Sequence, residues 1–434
     1  MMRGAMKPQK ATREARRSIS VAGQLFNMIP PRLIGELAQR HAVNARKFDE
    51  RSHVFALLIC QLAHFAGLNE TCDVMAVFEK EIARVRKCVA PRRNTFSHAN
   101  TTRNPALAEE LYWKMFHLLT SRDSSFGRQK QSGSLARFRF RHIYAVDSST
   151  IALVHNCIDW ARHRRRKAAV KVHMRTDMAC MLPRCVVIES ANHHDVTQAD
   201  ALCQGLGPGD IVVEDRAYND WDHQRRLDEA GAYYVIREKD LASFRVVSSK
   251  PAGELPPNIL SDEMIELTGR NTRAKYPKTV RRVRAMVEVD HVMRELVFLT
   301  NNTAWSGSTI AELYRERWTV EVLFKELKQT LQLKDFLGES ENAVKWQIWT
   351  ALLAHLLLRY LKHVTGWTPS YSRLVGLVRG VVWLHVDVMD LLRFYGTAHP
   401  PEPDRQGPKA PCLPGFEKAW LDSMGQQPAK ASVS

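Results

Sequence analysis

The sequence lacks several features that would assign it to a familiar class of protein. Its eight cysteines form no Cys-x-x-Cys pair, and no histidine pair follows at zinc-finger spacing, so we expect reduced, mostly buried thiols. The apolar runs Val54–Leu68 and Ile348–Leu361 are short for a membrane span and are interrupted by polar side chains. The segment Met1–Arg17 is basic but has no apolar signal core. These absences predict a cytoplasmic protein with no membrane partner.

Acidic residues are scarce relative to basic ones. The chain has 63 Lys and Arg against 46 Asp and Glu, which gives a net charge of +17 and a pI near 9.6. Because a hydrophobic content of 45% is ordinary for a globular protein, the surplus of positive charge favours a polyanionic partner such as nucleic acid. The length of 434 residues indicates two or three domains.

Apolar periodicity divides the chain into four parts. We predict a basic disordered arm at 1–22 and a helical domain at 23–135. An α/β domain follows at 136–395, with a β-rich insertion at about 241–300. The Pro-, Gly- and Ser-containing composition of 396–434 predicts a disordered tail. The basic interval 83–103 is either a DNA contact or a solvated connector, and composition alone favours neither.

Two predicted strands of the α/β part end in an aspartate. Residues 137–141 alternate with period two and lead into an apolar strand that ends at Asp147, and the strand 210–213 leads to Asp215. Ligands of open α/β sheets bind at the carboxyl ends of strands. For one strand the aspartate could merely start a turn, but two strands with the same ending favour a site.

A third carboxylate lies on the predicted helix Leu313–Leu331. At about 100° per residue, Glu321 shares one stripe with a tyrosine and several cations, whereas the apolar residues form another face that would pack on the sheet. The stripe contains Tyr314, Arg317, Glu321, Lys325 and Lys328. Simple i,i+4 ion pairing on an exposed face is the alternative. Carboxylates suit hard divalent cations, and neighbouring cations suit phosphate oxygens.

These residues resemble the IS4 family of insertion-sequence transposases. The helix carries the spacing Y-x2-R-x3-E-x6-K, from Tyr314 to Lys328, and YAVDSSTI and VVEDRAYND are similar to the family's two Asp motifs. The family usually has Gly where this chain has Ala217. The segment QLFNMIPPRLIGELAQRH resembles the helical domain that precedes the catalytic domain in one branch of the family. The resemblance covers most of 23–362.

The resemblance implies an RNase H-like catalytic domain with a β-rich insertion, preceded by an all-helical DNA-binding domain. It implies metal-dependent cleavage at insertion-sequence ends and strand transfer into target DNA, by a cut-and-paste route. The implied cofactor is a pair of Mg²⁺ ions, with Mn²⁺ as a substitute, and the implied partners are double-stranded terminal inverted repeats, target DNA and a second copy of the chain. The catalytic and metal-binding residues would be Asp147, Asp215 and Glu321, and the DNA contacts would be Tyr314, Arg317, Lys325, Lys328 and Arg216.

Alternatives remain open at this stage. The chain could be a metal-dependent nuclease of the same fold without strand transfer, or a non-catalytic DNA-binding protein derived from an inactive element. The His193–Asp195 segment suits metal ligands, but a structural role with Asp195 capping a helix is favoured. The basic run 162–167 is either a turn or a DNA contact. Trp305 is the nearest candidate to hold a flipped base, although packing is the more usual role.

Overall fold

The computed structural model describes residues 17–127, 133–138, 141–153, 157, 160–161, 168–239, 243–289, 292–331 and 337–395. The predicted tail, the basic run 162–167 and most of the predicted arm lie outside these residues. Within the described ranges no single helix is long and apolar enough to cross a membrane. One pair of helices, 50–63 and 68–77, passes that test only when combined, and it bends by 102°.

Helices fill the first part of the described chain, as predicted. They are α1 (Val21–Phe26), α2 (Leu33–Arg40), α3 (Glu50–Ala63), α4 (Leu68–Val77), α5 (Glu79–Arg84), α6 (Arg93–Thr102) and α7 (Ala106–Arg122). The first helix starts inside the segment predicted as an arm. Ser20 caps it by accepting a hydrogen bond from the Gly23 N–H, and both Ser20 and Val21 are buried.

A nine-stranded mixed sheet follows, with the order β3-β2-β1-β4-β5-β9-β8-β7-β6 within the described residues. Strands β1, β4 and β5 are parallel neighbours, and all the other pairs are antiparallel. The elements in chain order are β1 (Ile143–Leu153), β2 (Ala168–Asp177), β3 (Leu182–Ser190), α8 (Ala199–Cys203), β4 (Ile211–Glu214), α9 (Trp221–Glu229), β5 (Tyr233–Arg237), β6 (Phe244–Ser249), β7 (Ile259–Leu267), α10 (Arg270–Lys275), β8 (Val280–Val289) and β9 (Val292–Thr300).

The predicted β-rich insertion is confirmed as a run of strands, and the sheet shows where it attaches. Its four strands, β6 to β9, form an antiparallel meander that joins the rest of the sheet through β9 and β5. The insertion therefore widens one continuous sheet. Strand β6 forms the outer edge, where Val246 and Val247 are exposed.

The strand predicted from residue 137 to Asp147 is wrong at its start: β1 begins at Ile143, and residues 139–140 lie outside the described residues. Residues Gly133–Phe138 form a 3₁₀ helix. Arg137 reaches away from the sheet and donates hydrogen bonds to Thr309 and Glu312 on the next helix of the chain. The alternation of apolar and basic residues here belongs to a 3₁₀ helix that contacts another helix. An alternating pattern alone cannot distinguish this case from an edge strand.

Helices return after the sheet as α11 (Gly307–Arg315), α12 (Trp318–Lys325), a π-helical turn (Glu326–Thr330), α13 (Glu341–Thr365), α14 (Tyr371–Gly380) and α15 (Val388–Tyr395). The single helix predicted for 313–331 is therefore interrupted. At the break, the N–H groups of Arg317 and Val320 bond to carbonyls three residues back. This tighter turn keeps the backbone paired while the helix axis changes.

The helical first part shares its core with other parts of the chain. Its buried residues form one hydrophobic core with those of α13 to α15 and with one face of the sheet. The N–H groups of Val21 and Ala22 also donate to the carbonyls of Leu384 and Val382, which lie between α14 and α15. A second, smaller core lies on the opposite face of the sheet, beneath α8 and α9. Alternate side chains of the same strands therefore pack into the large core on one face of the sheet and into the smaller core on the other.

Candidate active site

Strands β1 and β4 bring Asp147 and Asp215 to the same face of the sheet. The two strands are parallel, and Val146 lies opposite Glu214. Side chains alternate between faces along a strand, and Val146 and Glu214 turn toward the smaller core. The next residue along each of the two, Asp147 after Val146 and Asp215 after Glu214, therefore turns toward the opposite face, which packs on the helices. The prediction that strand β1 ends at Asp147 is wrong. The strand continues to Leu153 because β2 still pairs with it.

The interrupted helix completes the cluster. Arg317 donates one hydrogen bond from Nη1 to Oδ2 of Asp147 at 2.6 Å and another from Nη2 to Oε1 of Glu321 at 2.8 Å. The hydroxyl of Tyr314 donates to Oδ1 of Asp215 at 3.0 Å. The guanidinium also lies over the Tyr314 ring, 5.5 Å from its centroid. The three predicted carboxylates, which are 68 and 106 residues apart along the chain, therefore meet around one arginine and one tyrosine.

The apolar face predicted for this helix fits the structure. Its residues are buried against the sheet and α13: Leu313, Val320, Leu323, Phe324, Leu327 and Leu331 are at most 7% exposed. Burying this face fixes the helix, and so it fixes the direction in which the polar stripe points. Glu321 is the most exposed of the residues that contact Arg317, with 35% of its side chain accessible.

The electrostatics of Asp147 are strongly perturbed. The pKa of its carboxyl is raised to about 6: burial is the largest cause and the charges of Glu321 and Asp215 add to it, while Arg317 and the Ser148 N–H act in the opposite direction. Burial also raises the pKa of Tyr314 to about 12, so that its hydroxyl remains a donor. Although burial lowers the pKa of Arg317, the surrounding acids, Asp147 foremost, raise it above its ordinary value. The arginine therefore stays charged.

The three carboxylates suit divalent cations better than they suit the single positive charge of Arg317. Three ionised carboxylates carry three negative charges, and Arg317 supplies one positive charge between them. Hard cations choose carboxylate oxygens of this kind. The Nε of Arg317 is buried and has no hydrogen-bond partner. This buried donor is a polar group beside the carboxylates whose hydrogen-bonding capacity is not used within the protein.

A cleft opens from the cluster toward the β8–β9 hairpin. Its volume is about 560 Å³, and its lining includes Asp215, Glu321, Arg237, Arg294 and Trp318. The indole of Trp318 is 52% exposed. A cleft with carboxylates at one end and arginines along its walls suits an anionic chain that must approach bound cations.

Comparison with known proteins assigns the chain. The model of the transposase DDE domain matches residues 139–357, about half of the chain, and this segment contains all three carboxylates. A probable transposase for insertion sequence element IS5377 of Geobacillus stearothermophilus is 31% identical over 217 residues, which are 50% of this chain and 55% of that protein. The chain belongs to the IS4-family DDE transposases.

Two further relatives agree with this assignment. A putative transposase, y4zB, of Sinorhizobium fredii is 28% identical over 67% of this chain and 77% of its own length. A putative transposase for insertion sequence element IS4SA of Synechocystis is 25% identical over 62% of this chain and 71% of its own length. The chain thus spans little more than half the length of the IS5377 relative and about three quarters of the other two.

In this transposase the remaining predicted DNA contacts lie around the same cluster. The ammonium of Lys328 donates to the Thr150 carbonyl at 2.9 Å, which ties the π turn to the far end of β1. Lys325 and Arg216 are exposed. Ala217, where the family usually has Gly, lies in a 3₁₀ turn, Arg216–Tyr218, and is not among the described residues with positive φ. An alanine is therefore unstrained there.

Two other predictions concern residues outside the cluster. The prediction that Asp195 caps a helix is wrong. Its carboxylate accepts a hydrogen bond from the Ser148 hydroxyl at 2.7 Å and forms an ion pair with Lys171 at 3.2 Å. It therefore buttresses the residue that follows Asp147. The ring of Trp305 packs on Phe138 and Tyr233, with centroids 5.1 and 5.0 Å away, which fits the packing interpretation.

Sequence reasoning missed the network that anchors the far end of the active-site helix. Glu326 begins the π turn, and its carboxylate accepts a hydrogen bond from Arg359 at 2.5 Å and contacts the ring of His355 at 3.3 Å. Arg359 in turn lies 4.8 Å from the centroid of the Tyr371 ring. The acid looked like an ordinary helix residue in the sequence because its partners are 29 and 33 residues away on α13.

Proposed function

We propose that this protein cleaves DNA at the ends of an insertion sequence and joins those ends to target DNA. The observation that carries the proposal is the bridge that Arg317 makes between Asp147 and Glu321, with Asp215 held by Tyr314 beside them. The strands β1, β4 and β5 are parallel neighbours, and the antiparallel strands β2 and β3 lie between β1 and β4 along the chain. This arrangement supports an RNase H-like core around the cluster.

Asp147, Asp215 and Glu321 are the residues that would hold the metal ions. Two Mg²⁺ ions, or Mn²⁺ in their place, would activate the attacking oxygen and stabilise the leaving oxygen at a phosphodiester. Tyr314 orients Asp215 through its hydroxyl. Arg317 favours the ionised form of Asp147, and its two Nη groups hold Asp147 and Glu321 in place.

The DNA would approach along the cleft between the active-site helix and the β8–β9 hairpin. Arg237 and Arg294 line that cleft, and the exposed Lys325 and Arg216 extend the positive surface beyond it. We assign phosphate contacts to these cations together with Lys328. Specific recognition of terminal repeats by the helical part, and pairing of two chains on the DNA, complete the proposal.

The test uses the full chain and a supercoiled plasmid that carries the DNA flanking its gene. We expect nicked and joined products that require Mg²⁺ or Mn²⁺. Asp147→Asn, Asp215→Asn and Glu321→Gln should each abolish both products while gel-shift affinity for the same DNA stays within about threefold, because the substitutions remove metal ligands and leave the cationic surface intact. Glu229→Gln, which removes an exposed acid on α9, is the matched control and should keep full activity.

The outcomes separate the competing functions. Cleavage without joined products under all metal conditions would indicate a nuclease of the same fold. DNA binding without any metal-dependent product would indicate a binding protein. Full cleavage by any of the three carboxylate variants would refute the site itself.

A further inference from the structure

A second cluster of metal-ligand side chains lies on the opposite face of the sheet from the active site. It consists of Cys203 at the end of α8, Glu214 at the end of β4 and His223 in the first turn of α9. The three residues are 8%, 0% and 2% exposed. Their candidate ligand atoms all lie within 4.8 Å of one another, and in the described part of the chain no other group of His, Cys, Asp and Glu does so.

The candidate ligand atoms of this cluster lie close to one another. The Nε2 of His223 lies 3.0 and 3.2 Å from the two oxygens of Glu214, and the Sγ of Cys203 lies 3.5 Å from one of them. Each ligand comes from a different element, and all three elements pack together around the smaller core. The spacing between the atoms is therefore fixed by the fold and not by a flexible loop.

The far side of the imidazole is held as it is in metal centres. The Nδ1 of His223 lies 3.0 Å from the carboxylate of Asp200, which also accepts a hydrogen bond from Arg226 at 2.9 Å. A metal-bound histidine commonly uses its other ring nitrogen for such a carboxylate contact, which fixes the ring and the tautomer. This contact is independent of the cluster itself, and it directs Nε2 toward Glu214.

We propose that Cys203, Glu214 and His223 bind one zinc ion. A thiolate, an imidazole and a carboxylate are the mixed donors that Zn²⁺ accepts, and a water molecule would take the fourth position of a tetrahedral site. Mg²⁺ prefers oxygen ligands only, so the sulfur separates this site from the carboxylate cluster on the other face.

Charge balance supports the proposal. With Zn²⁺ bound, the two positive charges of the ion balance the carboxylate of Glu214 and the thiolate of Cys203, and the thiol proton leaves to solvent. The occupied site therefore carries no net charge, so the ion leaves no uncompensated charge in the core.

The site would stiffen the support of the active site. Glu214 directly precedes Asp215, and the ion would join β4 to α8 and α9 at that point. The zinc is structural, since its ligands are buried and lie on the face opposite Arg317 and Tyr314. The inference stands independently of the proposed DNA chemistry.

The test is a cobalt titration of the purified, chelator-stripped full chain. Co²⁺ bound through a thiolate gives a sulfur-to-metal charge-transfer absorption, whereas Co²⁺ at the carboxylate cluster does not. We expect this absorption to saturate at one equivalent and to be displaced by one equivalent of Zn²⁺. Cys203→Ser should lose it, and Cys185→Ser, which changes a nearby half-buried thiol, should keep it. Asp147→Asn should also keep it.

A second variant tests the contact outside the ligand set. Asp200 is 57% exposed at its side chain, so Asp200→Asn should fold normally. It should weaken zinc binding by about 10- to 100-fold, the usual effect of losing such a carboxylate. The proposal is overturned if the stripped wild-type chain shows no sulfur-to-cobalt absorption, or if Cys203→Ser leaves that absorption unchanged.

Discussion

Replacing Asp147 with asparagine should stabilise the metal-free protein at neutral pH. Burial, followed by the charges of Glu321 and Asp215, raises the pKa of this carboxyl from 3.8 to about 6 in spite of Arg317. A shift of about two units corresponds to roughly 3 kcal/mol that the ionised aspartate costs the folded state. Asn is uncharged, so it removes this cost, although its single oxygen can replace only one of the two oxygens that accept hydrogen bonds from the Ser148 N–H and from Arg317.

The sign of the pH dependence follows from the raised pKa. The folded state holds the proton of Asp147 more tightly than the unfolded state does, so wild-type stability falls as pH rises from about 4 to about 6. The advantage of Asp147→Asn should therefore be near zero below about pH 4 and reach roughly 3 kcal/mol above about pH 6. Asp147, which the proposed chemistry requires, therefore lowers the free energy of unfolding at neutral pH.

Urea unfolding in the presence of a chelator, at about pH 4 and about pH 7.5, measures this difference. Asp177→Asn is a control of opposite sign. Although burial raises the pKa of Asp177, its hydrogen bonds with His142 and Arg184 lower it overall, so its loss should destabilise the protein at neutral pH and matter less in acid. Added Mg²⁺ should narrow the gap between wild type and Asp147→Asn by binding the folded wild type. Equal stability of the two proteins at neutral pH without metal would refute the reasoning.

Two other predictions follow from the contacts described above. Arg317→Gln should move the acid limb of the pH–rate profile for cleavage to higher pH, because Asp147 loses the charge that lowers its pKa; an unmoved limb in a variant that still cleaves would contradict this. The fragment 1–135 should show poor protection from protease and reduced helical circular dichroism compared with the same residues in the full chain, because α1 bonds to the segment around Val382 and Leu384; a stable, helical fragment would show that it folds alone.

The signals from which the sequence predicts the candidate site are local. Apolar strands followed by Asp147 and Asp215, and the amphipathic stripe around Glu321, each depend on residues within a few positions. The insertion strands were found for the same reason. The sequence pattern could not show which side chains contact one another in the folded protein. The stripe placed Arg317 beside Glu321, but only the sheet order brings Asp147 to its other nitrogen.

The errors have the same origin. The periodicity of the helical first part differs from that of the sheet, and it does not show that α13, more than 200 residues away, contributes to the same core. Residues 137 and 138 of the predicted strand are in a 3₁₀ helix, where Arg137 has partners on α11. The break within the active-site helix leaves no trace in its apolar spacing, since both halves bury the same face.

The alternation of β4 explains how one strand end can serve two sites. Glu214 and Asp215 are consecutive acids, and in a loop they would be interchangeable. In a strand their side chains leave on opposite faces, so Glu214 enters the smaller core with His223 and Cys203, while Asp215 turns to Tyr314. A shift of one residue in the pairing of β4 with β1 would exchange the two acids and lose both arrangements at once. The parallel pairing of β4 with both β1 and β5 therefore defines the active site as much as the carboxylates do.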